Sequence, residues 1–310
     1  MPVSEQQLTE IAQARAASSP TRRPTVAALE EALFEPAAVL DHGFVRVVDY
    51  MGDDAAVVQA ARVSYGRGTK AVSEDRGLIR YLLRHRHTTP FEMCEIKLHV
   101  KLPIFVARQW IRHRTANVNE YSGRYSIMDR EFYVPAPEHL AAQSQTNRQG
   151  RAEVLEGEEA AEVLALLRDE SVRAYANYEA LLNEDESGRP RDPQRRGLAR
   201  ELARMGLPVS FYTQWYWKID LHNLMHFIAL RADPHAQYEI RAYAEAIAAL
   251  MRLWVPLCFE AYEDYVAGGA HLSRQALDIV RRRLAGETVT QETSGLAARE
   301  WRELEALLGA

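Results

Sequence analysis

Residues 103–125, PIFVARQWIRHRTANVNEYSGRY, bring Arg108, Arg112, Arg114 and Arg124 together with Glu120 as their only acid. Guanidiniums this close repel one another unless an anion lies among them. Ser122, Gly123 and Arg124 form a corner where a hydroxyl, a backbone N–H and a fork of donors can meet one phosphate, with Tyr121 and Tyr125 on either side. The chemistry on offer is anion or nucleotide binding. The same arginines also suit a helix C-terminus, where the dipole favours cations, or a solvated basic loop, and residue types alone leave these readings open.

A helix is expected to present this stretch. Pro103 fits a first turn, and Ile104, Val106, Ala107, Trp110 and Ile111 recur at helical spacing. Gln109, Arg112 and His113 fall on other sides, and after Arg114 the residues Asn117, Asn119, Ser122 and Gly123 read as loop. Strands are expected at 44–50 (FVRVVDY) and at 94–101, where Ile96, Leu98 and Val100 alternate with Glu95, Lys97, His99 and Lys101; this places His99 on a wet face. A third strand is expected at 209–219, with Val209, Phe211, Thr213, Trp215, Trp217 and Ile219 on one face, and a short one at 130–134.

Helices are expected at 53–64, before Gly66 and Gly68, and from Ser73 to the basic run 84–87, with Leu78, Ile79, Leu82 and Leu83 inward. Others should cover 152–182, with Val163, Leu166 and Leu167 inward, and 192–205. Asp220 caps one running to Leu230, Asp233-Pro234 opens a long one kinked at Pro256, and two more follow Gly268. The fold class is α+β: a mixed or antiparallel sheet flanked by helices, helix-rich overall. Residues 1–25 read as a frayed, flexible extension, 26–270 as the catalytic domain, 271–310 as a helical tail, and 138–153 as a polar loop or insertion.

Hydrophobic content of 47% and charged content of 26% suit a soluble globular chain. A net charge of −5 argues against a general nucleic-acid binder, so the arginine cluster is a local site for a small anion. Two cysteines, Cys94 and Cys258, are too few for a disulfide framework, and a reducing cytoplasm fits. Glu5 and Glu10 sit in an N-terminus without a long apolar run, so no secretory signal is expected, and no stretch reaches membrane-spanning length.

Arg112-His113-Arg114, seven further residues and then Ser122 form the signature of the flavin-dependent thymidylate synthases, and QWIRHRTANVNEYSGRYS resembles that family throughout. The likeness extends over residues 43–267 and includes His87-Thr88-Thr89-Pro90-Phe91-Glu92 and Leu230, Arg231, Asp233, Ala236 and Gln237. It implies methylation of dUMP at C5, with methylenetetrahydrofolate as carbon donor, FAD as methylene and hydride carrier and NADPH as reductant. It implies dUMP contacts from Gln109, Trp110, Ile111, Arg112, Glu120, Tyr121, Ser122, Gly123, Arg124, Arg204 and Arg231, with Arg231 the catalytic group that holds the uracil and favours its deprotonated form. FAD contacts are implied for Thr89, Arg112, His113, Arg114, Glu120, Asp220, Leu221, His222 and His226, with His87 near the folate. The family also implies a homotetramer with shared sites.

Neither cysteine lies in the arginine-rich stretch, so a cofactor must carry the chemistry a nucleophilic thiol would otherwise supply. No G-x-G-x-x-G opens a βαβ unit, so the flavin site must be built from helix ends and arginines. His222 and His226 stand at i and i+4, but Asn223 occupies the place of the base in H-E-x-x-H, and no metal is expected. Two rivals remain: a zinc-dependent nucleotide hydrolase using His222, His226 and a third histidine, and a non-enzymatic nucleotide-binding module.

Overall fold

The computed structural model describes residues 3–63, 72–145, 150–185 and 188–309. In chain order the elements are α1 (Glu5–Ala16), α2 (Ala27–Ala32), β1 (Ala37–Val39), β2 (Gly43–Met51), α3 (Asp54–Val63), α4 (Val72–Arg84), α5 (Thr89–Glu92), β3 (Glu95–Pro103) and α6 (Ile104–Trp110). There follow β4 (Asn117–Glu120), β5 (Ala141–Gln143), β6 (Arg151–Val154), α7 (Gly157–Leu182), α8 (Arg200–Ala203), β7 (Tyr212–Asp220), α9 (Leu221–Arg231), α10 (Tyr238–Trp254) and α11 (Pro256–Tyr262). The chain ends with α12 (Arg274–Leu284), α13 (Gln291–Ser294) and α14 (Ala298–Leu308).

A five-stranded sheet in the order β1-β2-β3-β7-β4 is antiparallel at every pairing. The alternation in β3 and β7 is the cause of its position. Leu98 pairs with Trp217 and Val100 with Trp215, and these side chains are buried on the face that receives α6, α9 and α10. Trp110, fully buried, stacks on Phe227 with ring centroids 4.7 Å apart and meets Trp215 and Trp217 edge-on. This aromatic cluster fixes the end of α6 against α9.

The other sheet face is drier than alternation predicts. His99 is buried, not solvated, because Phe44 meets it edge-on, Tyr216 lies over it, and Arg46 and Gln214 bond its two ring nitrogens. Lys101 is buried against Glu131. Residues 1–25 are not simply frayed: Ser4 and Gln7 form a capping box at α1, and Val3 and Ile11 bury themselves with Phe44.

Several segments depart from the periodicity. Residues 117–120, expected as loop, add an edge strand to β7. Residues 130–134 contribute only the bridge Phe132–Phe211. The strand expected from residue 209 starts only at Tyr212, and Val209 is exposed. In the segment expected as a polar loop, β5 and β6 pair antiparallel. The helix expected from residue 192 is confined to α8, because the preceding segment wraps the end of α7: Asn183 bonds the carbonyls of Asp192 and Arg195, and Leu198 N–H bonds Leu181 O. Gly197, at φ +72°, passes so close to Leu182 O that a Cβ would lie 2.2 Å from it.

On α7 the inward residues are Ala160, Ser171, Ala174, Tyr175, Tyr178 and Leu182, whereas Leu166 and Leu167 are exposed. Ser73 lies inside α4 rather than capping it, and the expected helix stop at Gly66 and Gly68 falls outside the described residues. The long helix begins at Tyr238, after a turn over 233–237.

Residues 1–259 form one compact unit and 260–310 another. The second has its own small core of Ala276, Ile279, Val289, Leu296 and Leu304. No helix among the described residues is long and apolar enough to cross a membrane.

Candidate active site

The end of α6, the edge strand β4, the loop after it, α8 and α9 supply the charged residues. Gln109, half-buried near the end of α6, has an Oε1 buried without a hydrogen-bond partner, and Arg231, at the end of α9, has a buried Nε in the same condition. Buried polar atoms are ordinarily paired, and each of these two can take a ligand group, although Trp110 Nε1 and Trp215 Nε1 in the aromatic core are unpaired as well. Burial lowers the Arg231 pKa, yet a guanidinium remains charged at any physiological pH.

His113 is buried just after α6. Its Nε2 lies 3.1 Å from Thr115 Oγ1, its ring contacts the backbone of Asn223, and its centroid lies 5.4 Å from that of His226. Burial first, then the charges of His226 and Arg231, push its pKa below the usual histidine value. His113, His226 and Arg231 therefore share one neighbourhood. Arg112 and Arg114 project from the turn beside them and are exposed.

Glu120 ends β4, and its Oε1 accepts a 2.8 Å bond from Thr213 Oγ1, a buried hydroxyl on β7. Tyr121 N–H then bonds Gln214 O, and the chain turns away through Ser122, whose carbonyl accepts from Tyr125 and Ser126 N–H. Gly123 is buried; a Cβ there would lie 2.9 Å from Met128 Sδ and 3.3 Å from Arg204 Cδ. The corner Ser122-Gly123-Arg124 and Arg204 are thus in contact. Arg124 pairs with Glu201 at 3.0 Å, both side chains half-exposed, and an exposed pair of this kind holds an arginine only weakly.

The other expected residues stand as follows. Trp110 and Leu221 are fully buried, so their side chains belong to the core. Asp220 caps α9, with one carboxylate oxygen on Asn223 N–H and the other on its Nδ2. His222 is half-buried, and Ile111 and Tyr121 are partly exposed. His87 and Thr89 line a separate cleft of about 910 Å³ formed by α3, α4 and α5, where His87 stacks on Tyr81. Because α5 packs on α9, that cleft adjoins the helix carrying His222 and His226.

Thr213 and Met128 are part of this arrangement and were not identified from the sequence; a buried threonine within an aromatic strand is the only trace the first leaves. Cys94 and Cys258 are free and fully buried. Burial raises Cys94 to about 12 and Cys258 well above the usual thiol value, with Asp53 and Asp54 adding to both effects. Among the described residues no three His, Cys, Asp or Glu side chains converge as a metal site.

An arginine-rich corner and buried polar atoms left unpaired, on an antiparallel sheet flanked by helices, suit a nucleotide-handling α+β protein. The family model for thymidylate synthase complementing protein (Thy1) matches residues 46–257, and the chain belongs to that family. Flavin-dependent thymidylate synthases from Ruegeria pomeroyi and Gluconobacter oxydans are each 64% identical to it, covering 100% and 99% of both chains respectively. Among solved structures, a UMP/dUMP methylase from Streptomyces cacaoi bound with 5-Br UMP is 34% identical with a TM-score of 0.63, covering 72% of this chain and 95% of that one.

Proposed function

We propose that this chain catalyses reductive methylation of dUMP at C5 to give dTMP, taking the carbon from methylenetetrahydrofolate and reducing equivalents from NADPH, without a protein nucleophile. The observation that carries the reading is the corner of Ser122, Gly123 and Arg124 against Arg204, together with two buried atoms without hydrogen-bond partners, Gln109 Oε1 near the end of α6 and Arg231 Nε at the end of α9. One acceptor and one charged donor suit the N–H and carbonyl edge of a uracil, and the corner suits its phosphate.

Arg231 acts as the catalytic group. Its fixed charge stabilises negative charge on the uracil ring, and a ring anion makes C5 the better nucleophile. Ser122, Gly123, Arg124 and Arg204 hold the phosphate; Gln109, Arg112, Glu120 and Tyr121 complete the uridylate site, with Trp110 and Ile111 offering backbone groups only.

The residues present fit a flavin nucleotide: Arg112 and Arg114 are exposed cations next to His113 and His226, and Thr89 lies across the adjoining helix contact. When bound, the flavin supplies the methylene carriage and hydride that no side chain here can provide. Glu120, Asp220, His222 and the backbone at Leu221 orient it, and His87 orients the folate. The thiols stay protonated in the core and contribute no attack on C6. We further place the protein in the reducing cytoplasm, supported by its two free cysteines, as a homotetramer with shared sites.

The test is turnover by FAD-loaded protein given NADPH, methylenetetrahydrofolate and dUMP. Formation of dTMP with transient loss of the visible flavin band is expected. A protein that binds FAD but neither binds dUMP nor forms dTMP overturns the reading. Stoichiometric zinc with hydrolysis of a nucleotide would support the hydrolase instead.

A further inference from the structure

Beneath the Ser122-Gly123-Arg124 corner lies a clasp that none of the roles above uses. Met128 N–H donates to Tyr178 Oη at 3.1 Å, and Met128 O accepts from Tyr175 Oη at 2.9 Å, both bonds buried. Two tyrosines one turn apart on α7 therefore satisfy both backbone groups of a single loop residue. The side chain of that residue walls the corner: Met128 Sδ is the atom nearest to where a Gly123 Cβ would stand, at 2.9 Å.

The same apolar cluster holds the opposite wall. Met128, Tyr175, Tyr178, Leu182, Ala203 and Phe211 bury one another, and Ala203 immediately precedes Arg204, whose Cδ is the second neighbour of Gly123. Tyr175 stacks on Phe211 at 5.8 Å with the rings 8° from parallel. Two further braces close the loop: Tyr121 Oη donates to Ile127 O at 2.8 Å, and Arg200 donates to Tyr125 O at 2.6 Å.

We propose that Tyr178 and Tyr175 are positioning residues for the phosphate of the nucleotide substrate, acting through Met128 to set the gap between Gly123 and Arg204. This rests on the assignment of the corner to the dUMP phosphate. An anion held by several donors loses affinity when their spacing is off, and raising dUMP to saturation refills the site while Arg231, carried on α9, keeps its own place. The clasp therefore governs dUMP affinity and leaves the flavin site and the saturated rate alone.

The experiment uses the full FAD-loaded chain and three variants, Tyr178→Phe, Met128→Ala and Arg124→Ala. Tyr178→Phe keeps the ring and leaves Met128 N–H buried without its acceptor. It should raise the KM for dUMP about tenfold, the equivalent of one lost buried hydrogen bond, with kcat at saturating dUMP and FAD affinity unchanged. Met128→Ala keeps the backbone bonds but removes the wall and should raise the same KM, which keeps the test open if the phenylalanine variant does not fold. An unchanged KM for dUMP in either folded variant, or equal weakening of FAD and dUMP, overturns the clasp. Arg124→Ala separates the two claims. If it weakens dUMP while the other variants do not, the clasp is wrong; if it too has no effect, the phosphate assignment itself falls.

Discussion

Thr213 Oγ1 donates to Glu120 Oε1 at 2.8 Å, joining a buried hydroxyl on β7 to a carboxylate at the end of the edge strand β4. The bond fixes one carboxylate oxygen and leaves the other available. Thr213→Val replaces the hydroxyl by a methyl group of similar size, so packing is retained and the orientation of Glu120 is lost. We expect FAD and dUMP affinities to weaken by about 1 kcal/mol each, the typical net worth of such a bond. Titration calorimetry reads both, and unaltered affinities for both ligands would remove Glu120 from the site.

Arg124 is held by Glu201 only through an exposed pair, worth at most about 1 kcal/mol. A dianionic phosphate is the stronger partner. Arg124→Ala should weaken dUMP binding by about 1.5–3 kcal/mol, the range for a hydrogen bond to a charged group. Calorimetric affinity equal to that of the parent would show that the phosphate binds elsewhere.

Cys94 and Cys258 are fully buried and have raised pKa values, so neither is a thiolate near neutrality. The double variant Cys94→Ala with Cys258→Ala should keep its turnover while losing about 1–3 kcal/mol of stability to the small cavities left. A folded double variant with no dTMP formation would restore a thiol mechanism.

His99 makes acid stability measurable. Its Nδ1 accepts from Arg46 Nε at 3.0 Å, which leaves Nε2 as the donor to Gln214 Oε1, also at 3.0 Å. Burial, then the charges of Arg46 and Lys101, lower its pKa to about 4. The folded pKa is below the unfolded value, so the unfolded chain binds the proton first. Stability from neutral His99 is complete above about pH 6.5 and declines as pH falls toward 4, by about 3 kcal/mol in all. Denaturant midpoints across that interval should fall steeply in the parent and less steeply in His99→Gln. Parallel slopes would contradict this.

Much of the architecture is legible in the chain. Period-two alternation locates β3 and β7, because one buried face imposes that spacing wherever the sheet meets helices. The motif Arg112-His113-Arg114 to Ser122 gathers its residues within one short stretch, so it needs no tertiary knowledge to be seen. What alternation cannot reveal is how well the second face is covered. His99 reads as solvated beside Glu95 and Lys97, and only Phe44, Arg46 and Tyr216, on strands brought alongside, make it dry.

The local pattern also misplaces the two segments that frame the site. Residues 117–120 carry Asn at alternate positions and look like loop, yet β7 offers them an open edge, and backbone pairing outweighs weak propensity. The helix signal from residue 192 is overridden because Asn183, Gly197 and Leu198 tie that stretch to the end of α7.

The sequence by itself determined which residues could bind an anion and that no thiol stood among them, since both are matters of composition and close spacing. Tertiary structure alone decided that Thr213 holds Glu120 across 93 residues of chain and that Tyr178 reaches Met128 across 50. Such contacts follow from packing an apolar cluster and a sheet register into one place, and neither leaves a periodic mark on the chain.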